Sequence, residues 1–129
     1  MTDSLSLDGI YGLLAASRRR YILYYVSENE RTSVEELSLQ VTAWENDEPV
    51  SAVGESDRRD VVVSLRHAHL PKLESHGVVE YDERSGKVVT VDGFETLWRS
   101  VERAWEKEDV TTADVPPVSL PSGEPLREP

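Results

Sequence analysis

The stretch Ser64–Val91, SLRHAHLPKLESHGVVEYDERSGKVVTV, sets the architecture. Leu65, Ala68, His69, Leu70 and Leu73 recur at helical spacing, and Gly77 then stops the helix. Two short alternating runs follow, 78–82 and 87–91, around Glu83-Arg84-Ser85-Gly86, the pattern of a β-hairpin. A helix thus runs through a glycine stop into a hairpin. Pro71 sits inside the helix, where it removes a backbone donor and clashes with the preceding turn, so a kink or restart is expected near His69.

Upstream, the same helix extends back through Val62 and Val61, with Ser56 as its expected cap, and covers 57–76, about 30 Å. Asn46 to Glu55, with Pro49 and Gly54, reads as a loop. Ser33 and Glu36 form a capping box that opens VEELSLQVTAWE, with Val34, Leu37, Val41 and Trp44 on one stripe. Asn29 to Thr32 reads as a turn. Before it, Leu7, Ile10, Leu13 and Leu14 are helical in period. Ser17 can cap a fresh turn that leads into Tyr21, Ile22, Tyr24, Tyr25 and Val26. Downstream, Phe94, Leu97, Trp98, Val101 and Trp105 mark an amphipathic helix. From Val110 to Pro129 there is no apolar period, and this segment holds five of the seven prolines. It is expected to be disordered.

Helices followed by a two-stranded wing give the fold class: mainly α with a small β-hairpin wing, a winged helix-turn-helix plus a C-terminal amphipathic helix. The expected divisions are 5–92 for the winged-helix domain, 93–108 for a C-terminal dimerisation helix, and 109–129 for the Pro-rich tail. The Ser64–Val91 stretch resembles the recognition helix and wing of small archaeal and bacterial winged-helix transcription regulators. With SRRRYILYYV at 17–26, AWENDEPV at 43–50 and HLPKL at 69–73, the chain resembles a haloarchaeal winged helix-turn-helix domain family of uncharacterised function. The resemblance implies a DNA-binding fold over roughly 5–92. It departs from the compact motif in one respect: about ten residues join the second and third helices, where three or four are usual.

Composition narrows the function classes. The 129 residues suit one domain. Cysteine is absent, which excludes a disulfide framework, a thiol nucleophile and Cys-ligated zinc. No apolar run is long enough to span a membrane, and Met-Thr-Asp-Ser does not open a signal peptide. A cytoplasmic protein is expected. Lys and Arg total 14 against 25 Asp and Glu, a formal net charge of −11, and only three of the cations are Lys. Such a surface suits a cytoplasm at multimolar salt, where repulsion is screened over about 3 Å, so a halophilic archaeon is the expected source.

Against that acidic background, residues 58–72 hold four cations (Arg58, Arg59, Arg66, Lys72) and one anion, Asp60. Arg59, Val63, Arg66 and His67 can share one face of the third helix, and Arg84 and Lys87 flank the wing turn. Arg forks suit guanine edges and phosphates. The expected DNA-binding set is therefore Arg58, Arg59, Val63, Arg66, His67, Lys72, Arg84 and Lys87. The bland alternative is a solvated face or a surface for a protein partner.

Arg18, Arg19 and Arg20 point about 100° apart on a helix, so ion pairing with nearby carboxylates is the better reading. Tyr21, Tyr24 and Tyr25 read as core with polar tips rather than as a base-stacking platform. Phe94, Leu97, Trp98, Val101 and Trp105 are assigned to a homodimer interface, with packing on the own domain as the alternative. His69 and His76, with Glu80, have no metal-site spacing, and His69 reads as a partly buried packing residue. No phosphate-binding loop, zinc-protease or serine-hydrolase motif occurs, so no enzyme and no cofactor are expected. The sequence reading is a DNA-binding transcriptional regulator that engages double-stranded DNA as a homodimer. Its alternative is a protein-protein interaction module of a transcription or chromatin assembly.

Overall fold

A computed structural model describes residues 5–108. Six helices and three short strands follow in chain order: α1 (Leu7–Leu14), α2 (Ser17–Glu28), β1 (Arg31–Ser33), α3 (Val34–Asn46), α4 (Glu55–Ser64), α5 (Leu70–Ser75), β2 (Val79–Tyr81), β3 (Lys87–Thr90) and α6 (Gly93–Lys107). The fold is mainly helical with a small antiparallel sheet, the fold class expected from the sequence. The Pro-rich segment 109–129, expected to be disordered, lies outside the described residues.

The sheet has three strands, not the two of a hairpin alone. The order is β1-β3-β2, with Thr32 opposite Val88 and Tyr81 opposite Val88 on the other side. Residues 31–33, expected as part of a turn and a cap, instead pair with the outer flank of the hairpin. Three residues with one buried side chain, Thr32, carry no alternation for a sequence reading to detect. Ser33 still caps α3, accepting from the Glu36 amide at 3.1 Å. The reciprocal half of the capping box is absent, because the Glu36 carboxylate takes the Thr32 hydroxyl at 2.7 Å.

Pro71 does not break the long helix. Residues Leu65–His69 form a π-helical turn between α4 and α5, and the Leu70 amide donates to the Leu65 carbonyl. Widening one turn moves the carbonyls ahead of Pro71 out of the way of its ring, so the restart expected at His69 occurs as a register shift within one rod. The rod begins at Glu55, so Ser56 lies in its first turn and Gly54 precedes it. Gly77, with φ of 74°, ends it. Between α3 and α4, residues 47–54 are not all irregular: Val50–Ala52 form a 3₁₀ turn, and Val50 and Val53 pack on the core.

One core joins the six helices with β2 and β3. Leu13, Ile22, Leu23, Leu37, Val41, Leu65, Leu70, Leu73, Val78 and Val88 are fully buried in it. Two residues assigned to a dimer interface lie instead in this core. Leu97 and Val101 are 0% and 1% exposed within their own chain, because α6 packs on α1 and α2. Trp105 also turns inward, with its ring edge-on to Tyr24 at 5.0 Å and to Trp44 at 6.1 Å. Residues 93–108 therefore complete the domain. Only Phe94, Trp98 and Trp105 of the assigned set keep partial exposure.

The three consecutive arginines fasten helix ends. Arg18 pairs with Glu45 through two hydrogen bonds of 2.5 and 3.0 Å. Arg19 donates to the Gly12 and Leu13 carbonyls at the end of α1 and to Nδ1 of His69 at 3.2 Å. Arg20 donates to the Leu14 carbonyl and to both oxygens of Glu108. Tyr24 donates to the same carboxylate at 2.6 Å. Burial pushes the Glu108 carboxyl up, but the bonds from Arg20 and Tyr24 outweigh it and hold the group below the usual carboxylate range.

Candidate nucleic-acid interface

The α4 rod buries Val61 and Leu65 against the core. On the opposite side of the rod Arg59, Asp60, Val63 and His67 face outward, and Arg66, next to Leu65, lies at the edge of that side. Arg59 is 71% exposed, Val63 is 52% exposed, His67 is exposed and Arg66 is half-buried. The π turn keeps this face continuous with the rod and lets α5 return its own leucines to the core.

Arg58 differs from the other members of the expected set. Its guanidinium bonds Glu35 of α3 at 2.5 Å and Glu55 at 3.4 Å. That pairing ties α4 to α3 across the long connection, and it uses the cation that a phosphate would need. Glu55 also approaches Arg59 at 3.7 Å. Glu55 stands three and four residues before Arg58 and Arg59, the spacing of helical ion pairs, but it was expected in the loop before the helix. Glu35 required the fold to be known.

Arg66 links the rod to the sheet, donating to the Tyr81 hydroxyl at 3.4 Å. Tyr81 is otherwise buried, and the alternating pattern that made it a strand residue did not mark it as a partner for Arg66. The wing turn is built by Asp82. Its carboxylate accepts from the Arg84 amide at 3.1 Å and the Ser85 hydroxyl at 3.0 Å. The Ser85 hydroxyl and the Arg84 amide hold this carboxyl below its ordinary value. Gly86, with φ of 80°, closes the turn. Arg84 is presented at the exposed tip. Lys87 is exposed and lines a groove of about 280 Å³ together with Glu74, Glu80 and Asp82. Lys72 is exposed on α5.

The expected set thus divides. Arg59, Val63, Arg66 and His67 lie along the outer side of the rod with Glu55 and Asp60 beside them, Arg84 stands at the wing tip, Arg58 is held by Glu35 and Glu55, and Lys87 lines a groove with three carboxylates. Among the described residues, no three His, Asp or Glu side chains come together as metal ligands would. No helix there is long and apolar enough to cross a membrane. His69 faces inward, where burial and then Arg19 hold its imidazole below the ordinary value.

No curated protein and no solved structure matches the chain. A family model does match residues 11–89, from within α1 to β3, which covers the sheet and the outward strip but stops before α6. The chain belongs to this family, described as a domain of unknown function (DUF7344).

Proposed function

We propose that the protein is a DNA-binding regulator of transcription that lays the outer face of α4 in the major groove and rests the wing on the flanking backbone. One observation carries this reading. In a chain of net charge −11, the outer side of the helix that leads into the wing carries Arg59, Val63, Arg66 and His67, with the carboxylates of Asp60 and Glu55 beside them. Arginine forks read guanine edges and clamp phosphates, and a helix of this diameter fits the major groove. Arg84 at the wing tip is placed for a phosphate or the minor groove. Lys72 is assigned to backbone contact, and no cofactor is required. A homodimer would match two half-sites. Its contact surface would use the half-exposed Phe94 and Trp98 of α6, since Leu97 and Val101 belong to the core.

A second reading is favoured by a different observation. Glu35 and Glu55 hold Arg58, and Glu74, Glu80 and Asp82 line one groove with Lys87. A mixed-charge surface of this kind suits a protein partner within a transcription assembly. The two readings separate in an equilibrium titration of labelled duplexes from a random-sequence library, over roughly 0.5 to 3 M KCl. A regulator enriches a defined sequence and holds it with a shallow salt dependence. An interaction module enriches none.

A further inference from the structure

The outward strip of α4 has an apolar centre. Val63 is one of three large hydrophobic side chains that are strongly exposed among the described residues, and the other two, Leu7 and Tyr11, lie on α1. A lone exposed valine is ordinary on a protein surface. Its neighbours distinguish this one: Arg59 and the exposed Asp60 lie one turn before it, and the exposed His67 and the half-buried Arg66, bonded to Tyr81, one turn after. The strip therefore offers two guanidinium groups with an isopropyl group between them.

The major-groove edges of the base pairs present donors, acceptors and a single apolar group, the 5-methyl of thymine. Guanidinium forks match acceptors, and an isopropyl group matches only the methyl. A valine on a helix is nearly locked in one χ1 rotamer, so its methyls are already placed and little freedom is lost on contact. Salt also separates the two kinds of contact. Phosphate contacts weaken with every rise in salt because counterions compete for them, whereas apolar burial does not depend on counterion release.

We propose that Val63 is a specificity-determining residue that takes the 5-methyl group of a thymine, between bases or phosphates held by Arg59 and Arg66. This rests on the DNA-binding reading above and adds what the helix discriminates.

The test uses the full chain and the duplex recovered by selection. Each thymine is replaced in turn by deoxyuridine, which removes only the methyl, and binding is measured by fluorescence anisotropy at low and high KCl. At one or two positions the wild type is expected to lose about fourfold in affinity, by the same factor at both salt concentrations. Val63→Ala, whose side chain lies outside the core, should keep its circular dichroism and bind thymine and uracil duplexes equally. Two results overturn the proposal and leave the DNA-binding reading standing. In the first, the selected duplex is bound but no uracil substitution matters. In the second, Val63→Ala keeps the full preference for thymine. If selection recovers no duplex, the DNA-binding reading and this proposal fall together.

Discussion

Glu55 restrains two arginines at once, and its removal separates their structural role from their binding role. In Glu55→Gln the Arg59 guanidinium is released to solvent, while Arg58 keeps its bond to Glu35. Exposed pairs of this kind are weak. The expected change in stability is therefore small, with a gain in affinity for DNA of about two- to fivefold. A loss of affinity in the anisotropy titration would mean that Glu55 itself faces the ligand. His69 makes a pH prediction. Its imidazole titrates below the ordinary value in the folded chain, so over that interval the unfolded chain binds a proton that the folded chain refuses. Stability is complete above the unfolded value, about 6.5, and falls as pH drops through it. Urea midpoints measured from about pH 8 to 5.5 should decline for the wild type and decline less for His69→Gln. A wild-type midpoint that stays level would contradict the burial of His69 beside Arg19. At this scale the strip of Arg59, Val63 and Arg66 was legible from spacing alone. The capture of Arg58 by Glu35 was not, because Glu35 lies 23 residues away on another helix.

Helices were legible as elements because each repeats an apolar residue at the helical period. The rod from Glu55 to Ser75 was expected within two residues at either end, and its irregularity was expected near His69 from Pro71 alone. What periodicity does not supply is the surface on which a face packs. The stripe of α6 says that Leu97 and Val101 are buried but not against what, and both a second subunit and α1 with α2 satisfy it. Leu97→Ala decides this energetically. The structure predicts a loss of about 2–4 kcal/mol from an internal cavity, independent of protein concentration. Dependence on concentration in the unfolding transition would return Leu97 to an interface. The junction between α5 and α6 is equally tight. The Gly93 amide donates to the Gly77 carbonyl at 3.0 Å, and a Cβ on Gly93 would run into that carbonyl. Gly93→Ala should lower the melting temperature although alanine favours helix, and an unchanged or raised value would show that the junction yields.

Over the whole molecule, charge opposes both compactness and binding to a polyanion. A chain at −11 repels itself and DNA alike, and the two repulsions respond to salt differently. Screening relieves the first, so the melting temperature should rise between about 0.1 and 2 M KCl. For DNA, each phosphate contact adds about −0.9 to the slope of log affinity against log salt. With Arg58 held by Glu35 and Glu55, few contacts are available on each subunit. A slope no steeper than about −4 per subunit follows. The acidic balance was plain in the sequence, but its distribution depends on which carboxylates the fold brings to which cations.

The most direct test of the α4 surface is a comparison of two charge-matched variants in the same anisotropy titration. Arg59→Glu/Arg66→Glu alters the outward strip, and Arg99→Glu/Arg103→Glu makes the same charge change on exposed positions of α6. Recognition through α4 predicts that the first variant loses sequence-selective binding while the second keeps its selectivity with a uniformly lower affinity. Equal losses in both variants, or selective binding that survives in the first, would contradict it.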